Sequence, residues 1–276
     1  MSVGTAMHDE RYLSFKAQLE NIPPACEFVV EAAEAAGLDE RATYHCQLAV
    51  DETCTNIIEH GFPKSQHGHL GTIDIVTGVD DDSFIIVISD NSPAFNPLTH
   101  DDPNPSEDLA NRAPGGWGIY FIKKLMDSVD YRFVEDKNQL TLRKAIAVHR
   151  APVRPPTSEL TITSKPLPKN YLQVNLVGRL DSQTSPKVEY ELKTIINDKG
   201  YQRLIVNLTE VDYVSSSGLK VLVSAWRLAR QHAGDVILTD LQPRIREVFE
   251  MIGFDMMFHI YDSPGDVIAD DPISKN

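Results

Sequence analysis

Glu52 and Asn56 stand four residues apart in the run Asp51-Glu52-Thr53-Cys54-Thr55-Asn56-Ile57-Ile58-Glu59-His60-Gly61. On a helix that spacing puts both side chains on one face, one turn apart, and His60 continues the row. A carboxylate beside a neutral amide can divide labour: the amide oxygen ligates Mg2+, while the carboxylate accepts a proton from an attacking hydroxyl or water. The competing reading of such a pair is a solvated helical face. A second segment, Pro114-Gly115-Gly116-Trp117-Gly118, opens an apolar helix. Free backbone N–H groups and the positive end of the helix dipole can hold phosphate there, although a tight turn has the same look. A third is Ser215-Ser216-Ser217 before Gly218, where strand and loop hand over to a helix. Ser215 or Ser216 can serve as an N-cap. A hydroxyl in that place also suits phosphorylation, because the product dianion would lie at the positive helix end.

These residues need elements to position them. Pro23 and Pro24 precede an alanine-rich stretch over residues 25–36 closed by Gly37, which predicts a helix. Asp39 can cap the next helix, which buries Leu48, Val50, Cys54, Ile57 and Ile58 before Gly61 and Pro63 end it. Two β-branched runs, 72–79 and 83–89, flank Asp80, Asp81 and Asp82 and predict an antiparallel hairpin. Asp90-Asn91-Ser92-Pro93-Ala94-Phe95-Asn96-Pro97 follows, then a polar loop through Arg112 of the length that often forms a lid. A helix over 119–126 and strands over 128–134 and 139–146 finish this half. The second half alternates strands (160–163, 171–177, 204–208, 236–239) with helices (185–198, 220–232, 243–252), and Gly200, Gly234 and Gly253 punctuate the helix ends. That alternation predicts an α/β layer with helices on one face of a sheet. Trp226 shares its helix with Val223, Arg227 and Arg230 and reads as core or interface.

The chain has 276 residues, and roughly 100 to 200 residues per domain predicts two domains, each with its own core. Pro152, Pro155 and Pro156 mark a linker, giving domains over 1–150 and 158–276 joined by 151–157. Residues 1–150 hold 24 acidic and 12 basic side chains against 16 and 14 in the remainder, so the acidity belongs to the first half. A pI near 5.0 argues against direct nucleic-acid binding, which needs clustered Lys and Arg, and leaves a protein partner or small ligand. The longest apolar runs, such as 84–88, fall far short of the roughly 20 residues that span a bilayer. Residues 1–10 lack the basic and apolar segments of a signal peptide, and the expectation is a soluble cytoplasmic protein without a membrane partner. Cys26, Cys46 and Cys54 match no zinc spacing and read as buried free thiols.

The ordered set of the Glu52–Asn56 helix, a strand ending in Asp90 and the Gly116-x-Gly118 turn resembles the Bergerat-fold ATPases, and among them the anti-sigma-factor serine kinases, over residues 10–146. The resemblance implies an α/β sandwich that binds ATP and Mg2+. It implies that Asn56 coordinates Mg2+ on the phosphates, that Glu52 is the general base and that Asp90 accepts the adenine amino group. Gly116 and Gly118 would let the lid backbone close over the phosphates, with Gly115 assisting the turn, since a Cβ would hold the chain off the ligand. His60 reads as a packing histidine without a catalytic role. Ser92 stands where the family has glycine, beside the adenine.

The second half looks like a STAS domain of the anti-sigma-factor antagonist type over residues 158–265, carried by Gly178-Arg179-Leu180-Asp181 and Val211-Asp212-Tyr213-Val214-Ser215-Ser216-Ser217-Gly218-Leu219. This implies a mixed sheet covered by helices. Alignment on Gly218 implies Ser216 as phospho-acceptor, with Ser215 replacing the family aspartate and Ser215 and Ser217 as alternatives. Together the resemblances imply an ATP- and Mg2+-dependent protein serine kinase tethered to a STAS domain that is its acceptor or regulatory partner. Glu52 would draw the proton from the Ser216 hydroxyl, and the tether would raise the effective concentration of the acceptor to roughly millimolar. The implied partners are a sigma factor and anti-sigma-factor antagonist proteins, and the implied oligomer is a homodimer. The alternative is a non-catalytic module that binds nucleotide, or none, and sequesters a partner.

Overall fold

The computed structural model describes residues 7–62, 71–80, 82–99, 117–146, 160–251 and 253–275. They fall into two compact units. The first comprises β1 (His8–Lys16), α1 (Ile22–Ala35), α2 (Glu40–Asn56), β2 (Thr72–Asp80), β3 (Ser83–Asp90), α3 (Trp117–Leu125), β4 (Ser128–Val134) and β5 (Lys137–Ala145). Its five strands run in the order β1-β2-β3-β5-β4, every pair antiparallel.

Pro23 and Pro24 sit inside the first turn of α1, where their missing N–H groups cost nothing, and Gly37 closes the turn after it with φ +93°. Asp39 caps α2 as expected, its Oδ1 accepting from the Ala42 N–H at 2.7 Å. Val29 and Ala33 of α1 and Val50 and Cys54 of α2 pack on Ile75, Ile86, Ile88 and Leu142 of the sheet, so the unit is a two-layer sandwich. All three cysteines are free and buried. The edge strand β1 lies ahead of every predicted element: its residues are mostly exposed, so it carries little apolar alternation.

Helix α2 is buried along nearly its whole length, polar residues included, and Asp51, Glu52, Thr53 and Thr55 are each at most 4% exposed. A solvated helical face is therefore not what Glu52 occupies. Burying a carboxylate costs several kcal/mol unless other groups compensate. Thr53 Oγ1 donates to the Ala49 carbonyl at 2.7 Å and Thr55 Oγ1 to Asp51 Oδ1 at 3.3 Å. Past Asn56 the helix widens into a π-helical turn (Ile57–Gly61), a feature frequent at functional sites. The expectation of a packed His60 is corrected here: Ile57, Ile58 and Phe62 of this turn pack against the core, while His60 is exposed, 3.8 Å from Glu59.

The second unit comprises β6 (Thr161–Leu167), β7 (Tyr171–Leu180), α4 (Ser185–Asn197), β8 (Arg203–Val214), α5 (Ser216–Gln231), β9 (Asp235–Thr239), α6 (Pro243–Met251), β10 (Ile260–Tyr261) and α7 (Pro264–Asp270). The strand order is β10-β9-β8-β7-β6, with β6 antiparallel to β7 and the remaining pairs parallel, the mixed sheet that was expected. Helices were expected on one face only. Instead, Val267 of α7 packs on Tyr171, Ile205 and Ile237, while Leu204, Val206, Val236 and Leu238, which strand alternation points the other way, are equally buried. Both faces are thus covered; the short α7, N-capped by Ser263, has too few residues to show a periodicity in the sequence. Trp226 is half-buried and meets Phe258 edge-on at 6.3 Å. Among the described residues, no helix is long and apolar enough to cross a membrane.

Candidate functional site

Helix α3 starts two residues earlier than its sequence pattern, so Gly118 lies in its first turn rather than in the turn that precedes it. There it faces α2. A Cβ at Gly118 would stand 2.8 Å from Glu52 Oε2, 2.8 Å from Asn56 Nδ2 and 3.4 Å from Asn56 Oδ1. The carboxylate and the amide therefore converge on one point against the helix backbone, which only glycine leaves open. Asn56 makes no side-chain hydrogen bond among the described residues, and its Nδ2 is buried without a partner. Such an orphaned group costs about 1 to 3 kcal/mol. The cost is accounted for if the Nδ2 hydrogens meet an acceptor on a ligand, such as a phosphate oxygen, which leaves Oδ1 as the atom a cation could use.

Asp90 and Ser92 come together at the end of β3. Asp90 is 5% exposed, and its Oδ1 accepts from the Ser92 N–H at 2.8 Å. Asn138 of β5 joins them, donating to Asp90 Oδ1 at 3.1 Å and to Ser92 Oγ at 3.1 Å. Ser92 Oγ also lies against Gly61, where an added Cβ would approach it to 3.1 Å. The serine hydroxyl is thus taken up by Asn138 and by the space that Gly61 leaves. Asn138 lies one residue ahead of the strand that the sequence pattern predicts over 139–146, so the pattern does not single it out. The signal was present: Asn138, Leu140 and Leu142 alternate onto the buried face, so a polar side chain occupies a core position.

A nucleotide with its metal fits these residues. Asp90 keeps Oδ2 unbonded among the described residues, as a carboxylate that receives an amino donor must. No cluster of three His, Cys, Asp or Glu gathers among the described residues. A cation here would be held by Asn56 together with ligand phosphates, the mode Mg2+ favours over an all-protein cage. Gly115 and Gly116 lie outside the described residues.

In the second unit Ser215 is the N-cap of α5, although its side chain makes no capping bond, and its Oγ is fully buried without a partner. Ser216 is 3% exposed and Ser217 is half-buried. The turn is tightly held: the Ser215 N–H donates to the Leu180 carbonyl at 2.9 Å, and a Cβ at Gly218 would come within 2.5 Å of that same oxygen. Beside it, Arg179 stacks on Tyr213 at 3.8 Å and pairs with Asp181 at 3.2 Å.

The two units match two known domains. A histidine kinase-like ATPase domain matches residues 15–144, and a STAS domain matches residues 163–267. The putative anti-sigma factor antagonist BtrV of Bordetella bronchiseptica is 38% identical over 88 residues, which are 32% of this chain and 75% of that protein. The anti-sigma-B factor antagonist of Listeria monocytogenes is 30% identical over 108 residues, 39% of this chain and 94% of the relative. The serine-protein kinase RsbW of Bacillus mycoides is 32% identical over 103 residues, 35% of this chain and 59% of the kinase. The chain thus belongs to the anti-sigma factor antagonist family through its STAS domain and carries a histidine kinase-like ATPase domain ahead of it.

Proposed function

We propose that the first unit is an ATP- and Mg2+-dependent protein serine kinase of the partner-switching type, and that the STAS domain is its phospho-acceptor or regulatory partner. One observation carries the reading: Glu52 and the unpartnered amide of Asn56 converge on Gly118 at the start of α3. Bound Mg-ATP would supply the phosphoryl group and neutralise its charge. The chain's own share is to hold the metal through Asn56, to accept the adenine amino group on Asp90 and to take the acceptor's hydroxyl proton on Glu52. The N-terminus of α3 adds N–H groups and a positive dipole end for phosphate. The partners of such a protein would be a sigma factor and anti-sigma-factor antagonists, a reading supported by relatives that are themselves named anti-sigma factor antagonists. The kinase domain spans residues 1–150 and the STAS domain 158–276, with the proline-rich 151–157 between them.

The proposed acceptor is Ser216, with Ser215 and Ser217 as alternatives. Incubating the full chain with Mg-ATP and mapping phosphosites tests both halves of the reading. Label on Ser216 that disappears in Glu52→Ala is expected, whereas no label on Ser215, Ser216 or Ser217 counts against self-phosphorylation. The burial of Ser215 and Ser216 favours a second reading, a module that binds nucleotide and sequesters a partner without transfer. Tight Mg-ATP binding with no turnover on any antagonist would select it.

A further inference from the structure

Asn138 sits on β5 directly opposite Asp90 of β3 in the sheet register, and its amide is fully engaged. Oδ1 accepts from the Phe95 N–H at 3.0 Å and from the Tyr131 hydroxyl at 2.7 Å. A backbone N–H can only donate, which fixes the amide in one orientation. Nδ2 then faces Asp90 Oδ1, the Ser92 carbonyl and Ser92 Oγ, all at 3.1 Å, and the Pro93 carbonyl at 3.3 Å. Two hydrogens shared among four acceptors make no single strong bond; their effect is to gather residues 90–95 around one buried point.

Asp90 Oδ1 receives both the Ser92 N–H and the Asn138 amide, and Oδ2 receives no bond among the described residues. A carboxylate tied at one oxygen cannot rotate freely, and the other oxygen is the one left for a donor. Ser92 is drawn the same way, its hydroxyl on Asn138 and its Cβ 3.3 Å from where a side chain at Gly61 would begin.

We propose that Asn138 is a positioning residue of the adenine subsite, holding Asp90 so that Oδ2 meets the exocyclic amino group and seating the Ser92 side chain against Gly61. The inference rests on the nucleotide-binding reading above. Its substrate consequence is selection for purines that carry a 6-amino donor, enforced by a residue that does not itself touch the amino group.

The test is a calorimetric titration of the full chain, wild type and Asn138→Ala, with Mg-ATP and with purine riboside 5′-triphosphate, which lacks the 6-amino group. Wild type is expected to prefer ATP by about tenfold or more, the worth of a hydrogen bond to a charged group. In Asn138→Ala, ATP binding should weaken about tenfold while the analogue changes little, so the preference collapses towards about twofold. A structural role alone would weaken both ligands equally, and that result, or a preference that survives intact, overturns the proposal. If wild type binds neither triphosphate, the nucleotide reading itself falls and takes the proposal with it. Gly61→Ala supplies a second reading should Asn138→Ala fail to fold. It presses on Ser92 Oγ and should shrink the preference about threefold, and an unchanged preference would again overturn the assignment.

Discussion

Replacing Gly118 with alanine separates the site from the fold. The new methyl would stand 2.8 Å from both Glu52 Oε2 and Asn56 Nδ2, closer than an ordinary carbon contact by roughly 0.5 Å or more. Both neighbours are ends of side chains and can yield, at about 0.5 to 1.5 kcal/mol for each rotamer forced off its well, or about 1 to 3 kcal/mol together. Alanine's greater helix propensity returns about 1 kcal/mol, so the folded state should lose no more than about 2 kcal/mol. The site fares worse. The groups that move are the proposed metal ligand, Asn56, and the proposed base, Glu52, and a misplacement near 1 Å costs on the order of 100-fold in rate. The expected pattern is a thermal midpoint lowered by a few degrees, with phosphoryl transfer from Mg-ATP down about 30- to 100-fold. Thermal unfolding by circular dichroism and radiolabel transfer to an antagonist measure the two. A Gly118→Ala protein that transfers phosphate at the wild-type rate would refute the argument that Glu52 and Asn56 need that space.

Two further outcomes can be checked without nucleotide. Ser215→Ala should leave stability unchanged or raise it by up to about 1 kcal/mol, because the hydroxyl it removes is buried and unpartnered, whereas an N-cap that worked through its side chain would lose about 1 kcal/mol; chemical denaturation decides the sign. Burial, with Lys144 and Arg41 adding to it, pushes the His45 imidazole down from 6.5 to about 4. Between those values the unfolded chain takes up a proton that the folded chain refuses, so this contribution is intact above pH 6.5 and is lost as the pH falls towards 4, on the order of 3 kcal/mol in all. Denaturation across that range should show the acid limb, and His45→Gln should flatten it.

Much of the first unit could be read from local chemistry. The Asp39 cap, the hairpin of β2 and β3 and the burial of the cysteines each follow from residues adjacent in the chain or one turn apart. What escaped depended on distant partners. Strand β1 holds its place by pairing with β2 some sixty residues on, and α7 by packing Val267 on a sheet face built from β7, β8 and β9. The site divides in the same way. Glu52 and Asn56 announced themselves by spacing, but Asn138 acquires its role from the register that sets it across from Asp90. Ser92 stands where the family has glycine, and its accommodation lies some thirty residues away, in the missing side chain of Gly61. The start of α3 was misplaced for a related reason: glycine is a poor helix former in isolation, and only close packing on α2 explains Gly118 within the first turn.

Each sheet closes its hydrogen-bonded ladder within its own stretch of chain, the first between residues 8 and 145 and the second between 161 and 261. A recombination breakpoint falling between those stretches would hand on one complete sheet and cut neither. Among the described residues, no strand would need to find a substitute neighbour after such an exchange. Either fold could therefore be inherited, duplicated or traded as a cassette, with the cost of the event confined to the surfaces where the new companions meet.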